Sequence, residues 1–334
     1  MSAATQHLLA SQDARGCWLD FPAVGSGSDE WVTAYIGAAV AAVGTPAAQS
    51  AARNAWTSLA ARRRWSGGWG YMAAAPTDAD STATALRLAE AIGADRTVRA
   101  WRARLFLGQH QLASGGLCTY IWPRRMVWQT GLRETYKGWC SAHACVSANA
   151  AHLARFRGRR RLRGYLQSHQ LADGSWRAYW WYDEKACATA LAAEALATSS
   201  DPADVAALER AVRWAMTDAT RHPVITTQAA PDGSPYAMAL RLRVLLLGKG
   251  GGALPLLQLP SLAWLLAAQR PDGSWAPSAW LRFPPTEVED TTTIPEWHIG
   301  TMMRAGVLPD GHGLFTTATV LTALLAALEG GLLP

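Results

Sequence analysis

The sequence lacks the features that mark membrane-spanning, secreted and disulfide-bonded proteins. No apolar run reaches the length of a membrane-spanning helix, about 18 residues. The first residues carry no basic stretch followed by an apolar one, so no secretory leader is expected. The 5 cysteines include no C-x-x-C pair, which argues against a disulfide framework and a zinc ribbon. These absences predict a cytoplasmic protein with reduced thiols.

Lysine is also scarce, since only Lys137, Lys185 and Lys249 occur among the 31 basic residues. The formal net charge of +6 and the basic run at 157–163 would suit an anionic partner. No nucleic-acid-binding motif accompanies this charge, however, and an arginine bias is typical of genome composition. We therefore expect no nucleic acid partner.

Tryptophan is abundant, with 17 copies, and its positions reveal an internal repeat. The pattern Q-x-x-x-G-x-W occurs three times and has three degenerate copies. Each copy follows an amphipathic stretch rich in alanine and arginine, and precedes a small-residue apolar stretch of the form T-A-x-A-L. The six copies begin at Gln12, Arg63, Gln111, Gln170, Gln228 and Gln269.

The repeat predicts an all-α fold in which six helical hairpins close a ring. The apolar stretches are suited to inner helices buried on all sides, and the arginine-bearing stretches to outer helices. We expect outer helices at 1–11, 48–62, 97–110, 155–169, 203–219 and 256–268. We expect inner helices at 29–43, 78–92, 139–154, 181–197, 234–247 and 313–328. The whole of 1–334 is interpreted as a single domain.

Two connections are longer than the others, at 118–138 and 277–312. Long loops in compact domains are usually functional or disordered, and the prolines and aromatics of these two favour order. Both lead into inner helices at their N-terminal ends, so both are expected over one end of the ring, called the mouth below. Four of their tryptophans are interpreted as an aromatic lid: Trp122, Trp128, Trp280 and Trp297.

Aligned repeats place equivalent residues at equal heights in the ring. The positions two before each T-A-x-A-L start are therefore expected to surround one cavity, and they are Trp31, Asp80, His143, Lys185, Ser234 and Phe315. The same alignment places a set of aromatic residues near the mouth: Trp31, Trp139, Trp181, Tyr182, Tyr236 and Phe315.

Acidic residues precede several inner helices. Asp29, Asp183 and Asp232 are interpreted as N-caps. Asp80 differs, because Asp78 is already available as the cap and a second carboxyl two residues later would point into an apolar cavity. Two carboxyls this close do not both ionise easily. Asp80 is therefore the candidate general acid.

Two further residues of the expected cavity have open roles. His143 could donate a hydrogen bond to either carboxyl and fix which oxygen carries the proton, or it could be a histidine satisfied at the start of a helix. Lys185 could stabilise an anionic substrate, or it could lower the pKa of Asp80 and weaken the acid. The sequence leaves both pairs of alternatives open.

The segment SGGWGYMAAAPTDADSTATAL at 66–86, together with the repeats, resembles the squalene-hopene cyclase and class II terpene cyclase superfamily. The resemblance implies an (α/α)6 barrel and a carbocation that starts when an alkene or epoxide is protonated. Residue by residue, Asp78 matches the first acid of the family motif, Asp80 the central proton donor and Ser81 the third position. The family has a second aspartate there, which helps to polarise the donor.

The resemblance also implies the class of substrate. Family members that make hopanes or copalyl diphosphate pair two barrels, so this chain is expected to act on a smaller prenyl or alkene-bearing substrate, with aromatic faces stabilising the cation. No cofactor is required, and Mg²⁺ is expected only with a diphosphate substrate. Peripheral membrane contact stays open. The acids Glu289 and Asp290 could complete the motif from above, although a solvated loop is favoured.

Two alternatives remain. The first is a zinc-dependent prenyltransferase, a fold relative whose metal would be held here by Asp183, Cys187, Cys140 and His143. The D-x-C pairing typical of that family is absent. The second is a repurposed barrel that binds or transforms a non-terpenoid natural-product intermediate, for which Ser81 is the main indication.

Overall fold

The computed structural model describes residues 1–334 without 24–25, 63, 65, 132, 183–184, 222–233, 249–253, 303 and 334. Arg63, Asp183, Gln228 and Asp232 of the sequence analysis therefore lie outside the described residues. The helices are α1 (Ser2–Ala10), α2 (Trp31–Ala41), α3 (Pro46–Ala61), α4 (Ala79–Ala91), α5 (Val98–Gln109), α6 (Pro123–Thr130), α7 (Ala144–Ala151), α8 (Arg159–Ser168), α9 (Ala186–Ala197), α10 (Pro202–Arg221), α11 (Pro235–Leu246), α12 (Leu254–Ala267) and α13 (Leu314–Glu329).

Six of these helices form a closed inner ring. In order, α2, α4, α7, α9, α11 and α13 each contact the next, and α13 returns to contact α2. Their alanine and threonine side chains are mostly buried, as the apolar pattern predicted. The outer helices α1, α3, α5, α8, α10 and α12 pack around this ring. The prediction of an all-α barrel of six hairpins is thus confirmed.

In the repeats that the structure describes, the Q-x-x-x-G-x-W pattern or its degenerate form joins an outer helix to the next inner one. The indole N–H donates a hydrogen bond to a carbonyl near the end of the preceding outer helix, from Trp18 to Leu8 at 2.7 Å and from Trp176 to Leu166 at 2.7 Å. The glycine has a positive φ, +94° at Gly174, and a Cβ there would come within 2.3 Å of the Arg210 carbonyl oxygen. The turn therefore requires glycine, and where tryptophan is present its indole ties the turn to the preceding outer helix.

Short strands lie mainly in the connections on the mouth side. They are β1 (Asp20–Ala23), β2 (Ser26–Ser28), β3 (Trp69–Gly70), β4 (Thr77–Asp78), β5 (Trp280–Phe283), β6 (His298–Ile299) and β7 (Gly306–Pro309). Strands β1 and β2 pair antiparallel, as do β3 and β4. In the second long connection β7 pairs antiparallel with β5 and parallel with β6, and Thr291–Thr293 form a 3-10 turn.

The two long connections contact each other. The Gly138 N–H donates to the Thr286 carbonyl at 2.8 Å, and Lys137 pairs with Glu289 at 2.9 Å. Residues 137–140 before α7 form turns, and the segment before α9 is extended where Trp181 bridges to Leu281 of β5. These two helices therefore begin later than predicted, at Ala144 and Ala186. Within the described residues, no helix is both long and apolar enough to cross a membrane.

Candidate active site

The same hydrogen bond to one hydroxyl recurs in five of the hairpins and fixes the height of their inner helices. The backbone N–H of the repeat tryptophan donates to the hydroxyl, here called the marker hydroxyl, at Thr33, Thr82, Thr189 and Thr317 over 2.9–3.2 Å. In the third repeat the Leu117 N–H donates to Ser147 at 2.8 Å in the same way. The marker hydroxyls therefore define which residues of these inner helices lie at equal heights in the ring.

The marker hydroxyls correct the sequence alignment in two repeats, and in the fifth repeat Tyr236 lines the cavity where the alignment expected Ser234. The alignment started at Cys145 and Cys187, but the marker hydroxyls belong to Ser147 and Thr189, two residues later. The residues two before Ser147 and Thr189 are Cys145 and Cys187. His143 and Lys185 therefore lie nearer the mouth than predicted. The alignment was misled because a buried cysteine has nearly the size and polarity of threonine.

A narrow cavity of about 30 Å³ lies inside the ring. Its upper part is lined by the residues two before the markers and their equivalents: Trp31, Asp80, Cys145, Cys187, Tyr236 and Phe315. One turn deeper the lining is Tyr35, Thr84, Asn149, Leu191 and Leu240, and below these lie Arg87 and Arg243.

The upper part of the cavity, called the neck below, is built from aromatic rings. Phe315 stacks on Tyr35 with ring centroids 3.9 Å apart and lies 4.8 Å from Trp31. Trp181 reaches in from the segment before α9, 5.3 Å from Phe315 and 5.2 Å from Tyr236. Aromatic faces carry negative potential, so they can stabilise a cation without offering it a nucleophile.

Asp80 opens into this cavity from the first turn of α4. Its Oδ1 accepts a hydrogen bond from Asn149 Nδ2 at 2.9 Å. Its Oδ2 has no hydrogen-bond partner among the described residues. Burial raises the pKa of Asp80 to about 6, although the Asn149 hydrogen bond and the nearby Arg87 charge act to lower it. The carboxyl can therefore carry a proton near neutral pH and present it to a ligand.

Asp78 and Ser81 are paired with each other just outside the cavity lining. Asp78 caps α4, accepting from the Ser81 N–H at 2.7 Å and from the Ser81 hydroxyl at 2.7 Å. Burial raises the pKa of Asp78 to about 7. The hydroxyl of Ser81 is directed to Asp78, so it does not replace a carboxyl that would polarise Asp80.

The deepest part of the cavity, called the floor below, is charged. Arg243 forms a bidentate pair with Glu194 at 2.6 and 2.7 Å. Arg87 donates to Asn149 Oδ1 at 3.2 Å. Burial lowers the pKa of the neighbouring His152 to about 3, so this ring is neutral. With Asp80 protonated, the floor therefore carries one more positive than negative charge.

His143 is not placed to contact either carboxyl. Its Nδ1 faces the Thr119 hydroxyl at 2.9 Å, and its Nε2 faces the Gly138 carbonyl at 3.0 Å. The ring stacks on Tyr179 at 3.8 Å, and burial lowers its pKa to about 3. Of the two alternatives left open, the structure favours a histidine satisfied at the start of a helix, where it holds the first long connection.

Three further predicted cavity residues also lie outside the cavity lining. Lys185 pairs with Asp173 at 2.6 Å, and its side chain is 40% exposed. Trp139 donates to the Pro284 carbonyl at 2.9 Å and so joins the two long connections. Tyr182 is 42% exposed beside Trp280. Lys185 lies outside the cavity because of the two-residue shift in register, and Tyr182 lies outside it because it belongs to the extended segment before α9.

The predicted lid residues divide into two groups. Trp122 and Trp128, at α6, are 62% and 82% exposed. Trp280 and Trp297 both lie near Tyr182, with ring centroids 6.5 Å away, and Trp297 packs against the Arg282 guanidinium at 5.1 Å. The acids Glu289 and Asp290 are about half exposed, and pair with Lys137 and Arg177. They form a solvated loop and do not join the cavity.

The ligands suggested for zinc are not brought together. Cys187 lines the cavity, whereas both ring nitrogens of His143 bond elsewhere. Asp183 lies outside the described residues. Across the described ranges, no group of three His, Cys, Asp or Glu side chains is arranged to hold a metal ion.

Sequence reasoning missed the polar residues below Asp80. Asn149, Arg87 and Arg243 sit in alanine-rich stretches that the periodicity assigned to plain core. A usable signal was present, because Asp80, Thr84 and Arg87 are spaced i, i+4 and i+7 and therefore share one helix face. A buried face with three polar residues indicates a site more strongly than a core.

The fold and cavity match solved structures. The chain is similar to the type II terpene cyclase MstE from Scytonema, with a TM-score of 0.92 and 36% identity over 98% of this chain and 97% of that one. Variants of MstE were solved with geranylgeranyl dihydroxybenzoate as substrate and with merosterolic acid A as product. No protein-family model and no curated protein matches the chain.

Two other solved structures extend the comparison. A protein from Actinoplanes is similar with a TM-score of 0.89 and 36% identity over 98% of each chain. The ent-copalyl diphosphate synthase from Streptomyces platensis has a TM-score of 0.57 and 20% identity over 90% of this chain and 50% of its own. At that identity the likeness concerns the fold alone.

Proposed function

Because the chain belongs to the type II terpene cyclases, we propose that it cyclises a prenyl chain after proton transfer from Asp80. One observation carries the assignment of the donor. Among the described residues that line the aromatic cavity, Asp80 is the one carboxylic acid, and one of its oxygens is free to face a ligand. A buried, protonated carboxyl beside aromatic faces suits the formation of a carbocation.

The chemistry balances without any further reactant. Oδ2 of Asp80 gives its proton to one carbon of an alkene, whose π electrons form the new C–H bond, and the neighbouring carbon becomes the cation. The π electrons of a second alkene then form a C–C bond and close the ring. A carbon next to the last cation then loses a proton to solvent, and Asp80 takes one up from solvent before the next turnover, so the product is an isomer of the substrate and the enzyme is restored. Trp31, Trp181 and Phe315 stabilise the cations and exclude water.

The substrate class follows from the similarity to MstE. We infer a prenyl chain attached to a polar, aromatic head group, of the kind represented by the geranylgeranyl dihydroxybenzoate bound to that cyclase. The proton comes from a side chain, so this step needs no metal. A requirement for Mg²⁺ would instead indicate a diphosphate substrate.

We further propose that residues 1–334 act as one barrel domain and that the two long connections cover the bound substrate. Their mutual contacts at Gly138 and Thr286 support this role. The exposed Trp122 and Trp128 support peripheral contact of the mouth with an apolar surface.

The test is turnover by the Asp80→Asn variant, which keeps the size of the side chain and removes the acid proton. We expect turnover of geranylgeranyl dihydroxybenzoate to fall by roughly 10³-fold, with the circular dichroism spectrum unchanged. Glu209→Gln, at an exposed position of α10, is the matched control and should turn over normally. Full activity of Asp80→Asn on a substrate that the wild type converts would overturn the proposal.

A second assay separates the remaining functions. Wild-type protein is offered farnesyl and geranylgeranyl diphosphates, with and without Mg²⁺, beside the prenylated benzoate. Conversion of the benzoate supports the substrate class, and conversion of a diphosphate alone contradicts it. Tight binding of these compounds without conversion of any would favour the repurposed barrel.

A further inference from the structure

A chain of three side chains connects the proton donor to the floor of the cavity. Arg87 donates to Asn149 Oδ1 at 3.2 Å, and Asn149 Nδ2 donates to Asp80 Oδ1 at 2.9 Å and to the Thr84 hydroxyl at 2.8 Å. Asp80 and Arg87 belong to α4, while Asn149 comes from the neighbouring α7. These hydrogen bonds therefore form only when α4 and α7 pack together.

The hydrogen bonds fix where the acid proton lies. A guanidinium can only donate, so the amide oxygen of Asn149 must face Arg87 and its NH₂ must face Asp80. Asp80 Oδ1 accepts this hydrogen bond, so it is the carbonyl oxygen of the protonated acid. The proton is then on Oδ2, the oxygen that lacks a partner among the described residues and opens into the cavity.

The charges around Asp80 show how these hydrogen-bonded side chains affect its acid strength. Glu194 is occupied by two hydrogen bonds from Arg243. Arg87 has no carboxylate within ion-pair distance in the described part of the chain. While Asp80 is protonated, the two positive charges of Arg87 and Arg243 face the single negative charge of Glu194, and once Asp80 has given up its proton the charges balance. The ionised form is thereby favoured, which makes Asp80 a stronger acid.

We propose that Asn149 and Arg87 are positioning residues that set the acid strength of Asp80 and direct its proton into the cavity. They take over the task that the resemblance assigns to a second aspartate, at the position where this chain has Ser81. The inference depends on the proposed function, because it assumes that Asp80 is the proton donor.

The other titratable groups around Asp80 do not supply this charge. Burial raises the pKa of the Cys145 thiol to about 11, and raises those of the Cys187 thiol and the Tyr120 phenol well above their usual values, so all three are neutral. Asp78 caps the helix that carries Asp80, and its charge would oppose the ionisation of Asp80. The groups that face Asp80 from its own and adjacent elements are thus Asp78, Arg87, Tyr120, Cys145, Cys187 and, across the floor, Glu194 and Arg243.

The experiment measures kcat, KM and the pH dependence of kcat/KM for Asn149→Leu, Arg87→Met, Arg87→Lys and the double variant Asn149→Leu/Arg87→Met. We expect Asn149→Leu and Arg87→Met each to lower kcat by roughly tenfold or more with little change in KM. The alkaline limb of the pH profile should move upward by about one unit, because Asp80 becomes a weaker acid. Arg87→Lys keeps the charge and should restore part of the loss.

The double variant tests whether Arg87 acts through Asn149. If it does, the two losses are strongly non-additive, and the double variant resembles Asn149→Leu alone. A merely structural role would lower thermal stability but leave the alkaline limb where it is in the wild type. An unmoved limb in folded Arg87→Met, or one moved to lower pH, overturns the inference. If Asn149→Leu fails to fold, the two Arg87 variants decide the question.

Asp80→Asn measured in the same assay separates the two proposals. If Asp80→Asn is inactive while the Asn149 and Arg87 variants retain the wild-type kcat and pH profile, the inference fails and the proposed function stands. If Asp80→Asn is fully active, the proposed function fails, and the inference fails with it.

Discussion

The neck and the floor of the cavity are built on the same six inner helices but from opposite chemistry. The neck presents aromatic rings, with Phe315 stacked on Tyr35 at 3.9 Å. The floor, one to two helical turns deeper, presents Arg87 and the Arg243–Glu194 pair. Asp80 lies at the height of the neck and is linked to the floor through Asn149. One alanine-rich helix repeat thus provides aromatic faces for cations at one height and charges that tune an acid at another.

The two regions also differ in how they affect stability. Burying the rings of the neck removes apolar area from water and stabilises the fold directly. Burying an ion pair costs desolvation that its attraction only partly offsets, so the floor contributes little net stability while intact. A charged floor in an otherwise apolar ring is therefore explained better by function than by stability.

The greatest loss of stability is expected when Glu194 of the floor is neutralised. Glu194→Gln leaves the Arg243 guanidinium buried without a counter-charge, so we expect the free energy of unfolding to fall by about 3–5 kcal/mol. Urea unfolding followed by circular dichroism measures it. Asp173→Asn breaks the half-exposed pair with Lys185 and serves as the control, with a loss below about 1 kcal/mol. Equal losses of unfolding free energy in the two variants would show that the Arg243–Glu194 pair matters no more to stability than a surface ion pair.

The next effect concerns the acid that links the two regions. Asp80 donates a proton only while protonated, and burial raises its pKa to about 6. The rate kcat/KM should therefore fall as pH rises above about 6, by about 100-fold over two further pH units. Steady-state kinetics between pH 5 and pH 9, in a buffer range where the fold is intact, provides the measurement. A rate that is flat or rises across this range would contradict proton donation by Asp80.

A smaller effect is expected in the neck. Trp181→Leu removes an aromatic face but keeps an apolar side chain, so kcat should fall by about tenfold. Trp214→Leu, at an equally buried tryptophan of the outer helix α10, should lose comparable stability and keep its kcat. Kinetics and thermal unfolding of both variants check this. Equal kcat losses would mean that tryptophan acts through general stability and not as a face for the cation.

The smallest effect is expected at Ser81. Its hydroxyl donates to Asp78 and not to Asp80, so Ser81→Ala should lower stability by about 1 kcal/mol and change kcat by less than about threefold. Thermal unfolding and initial rates measure the two quantities. A loss of activity as large as that of Arg87→Met would show that Ser81, and not the floor, sets the strength of the acid.

Much of the fold could be predicted because the same pair of helices and its connecting turn recur along the sequence. Each Q-x-x-x-G-x-W turn is stabilised by local bonds such as that from Trp18 to Leu8, so the turn is visible in the sequence. The strands β5 and β7 were missed, because they pair across a long connection in which short apolar runs have no distinct periodicity. The extended segment before α9 was missed for the same reason, since its partner Leu281 is remote in sequence.

The candidate site was predicted less completely than the fold. Asp80 stood out because a cap was already available in Asp78. Asn149 did not, because its partner Asp80 is 69 positions away and an isolated amide in an apolar helix carries no local signature. The register of the third and fourth repeats depends on the hydroxyls of Ser147 and Thr189, which a sequence alignment cannot distinguish from nearby cysteines.

The closed ring has a consequence for folding of the protein. The Tyr35 and Thr319 hydroxyls meet at 2.8 Å although 284 positions separate them, and Asp20 accepts from the Leu314 N–H across 294 positions. Contacts of such long range form late and slow the folding rate. Until α13 closes the ring against α2, water has access to Asp80 and favours its ionised form. The raised pKa of the acid therefore depends on closure of the whole ring and not on α4 alone.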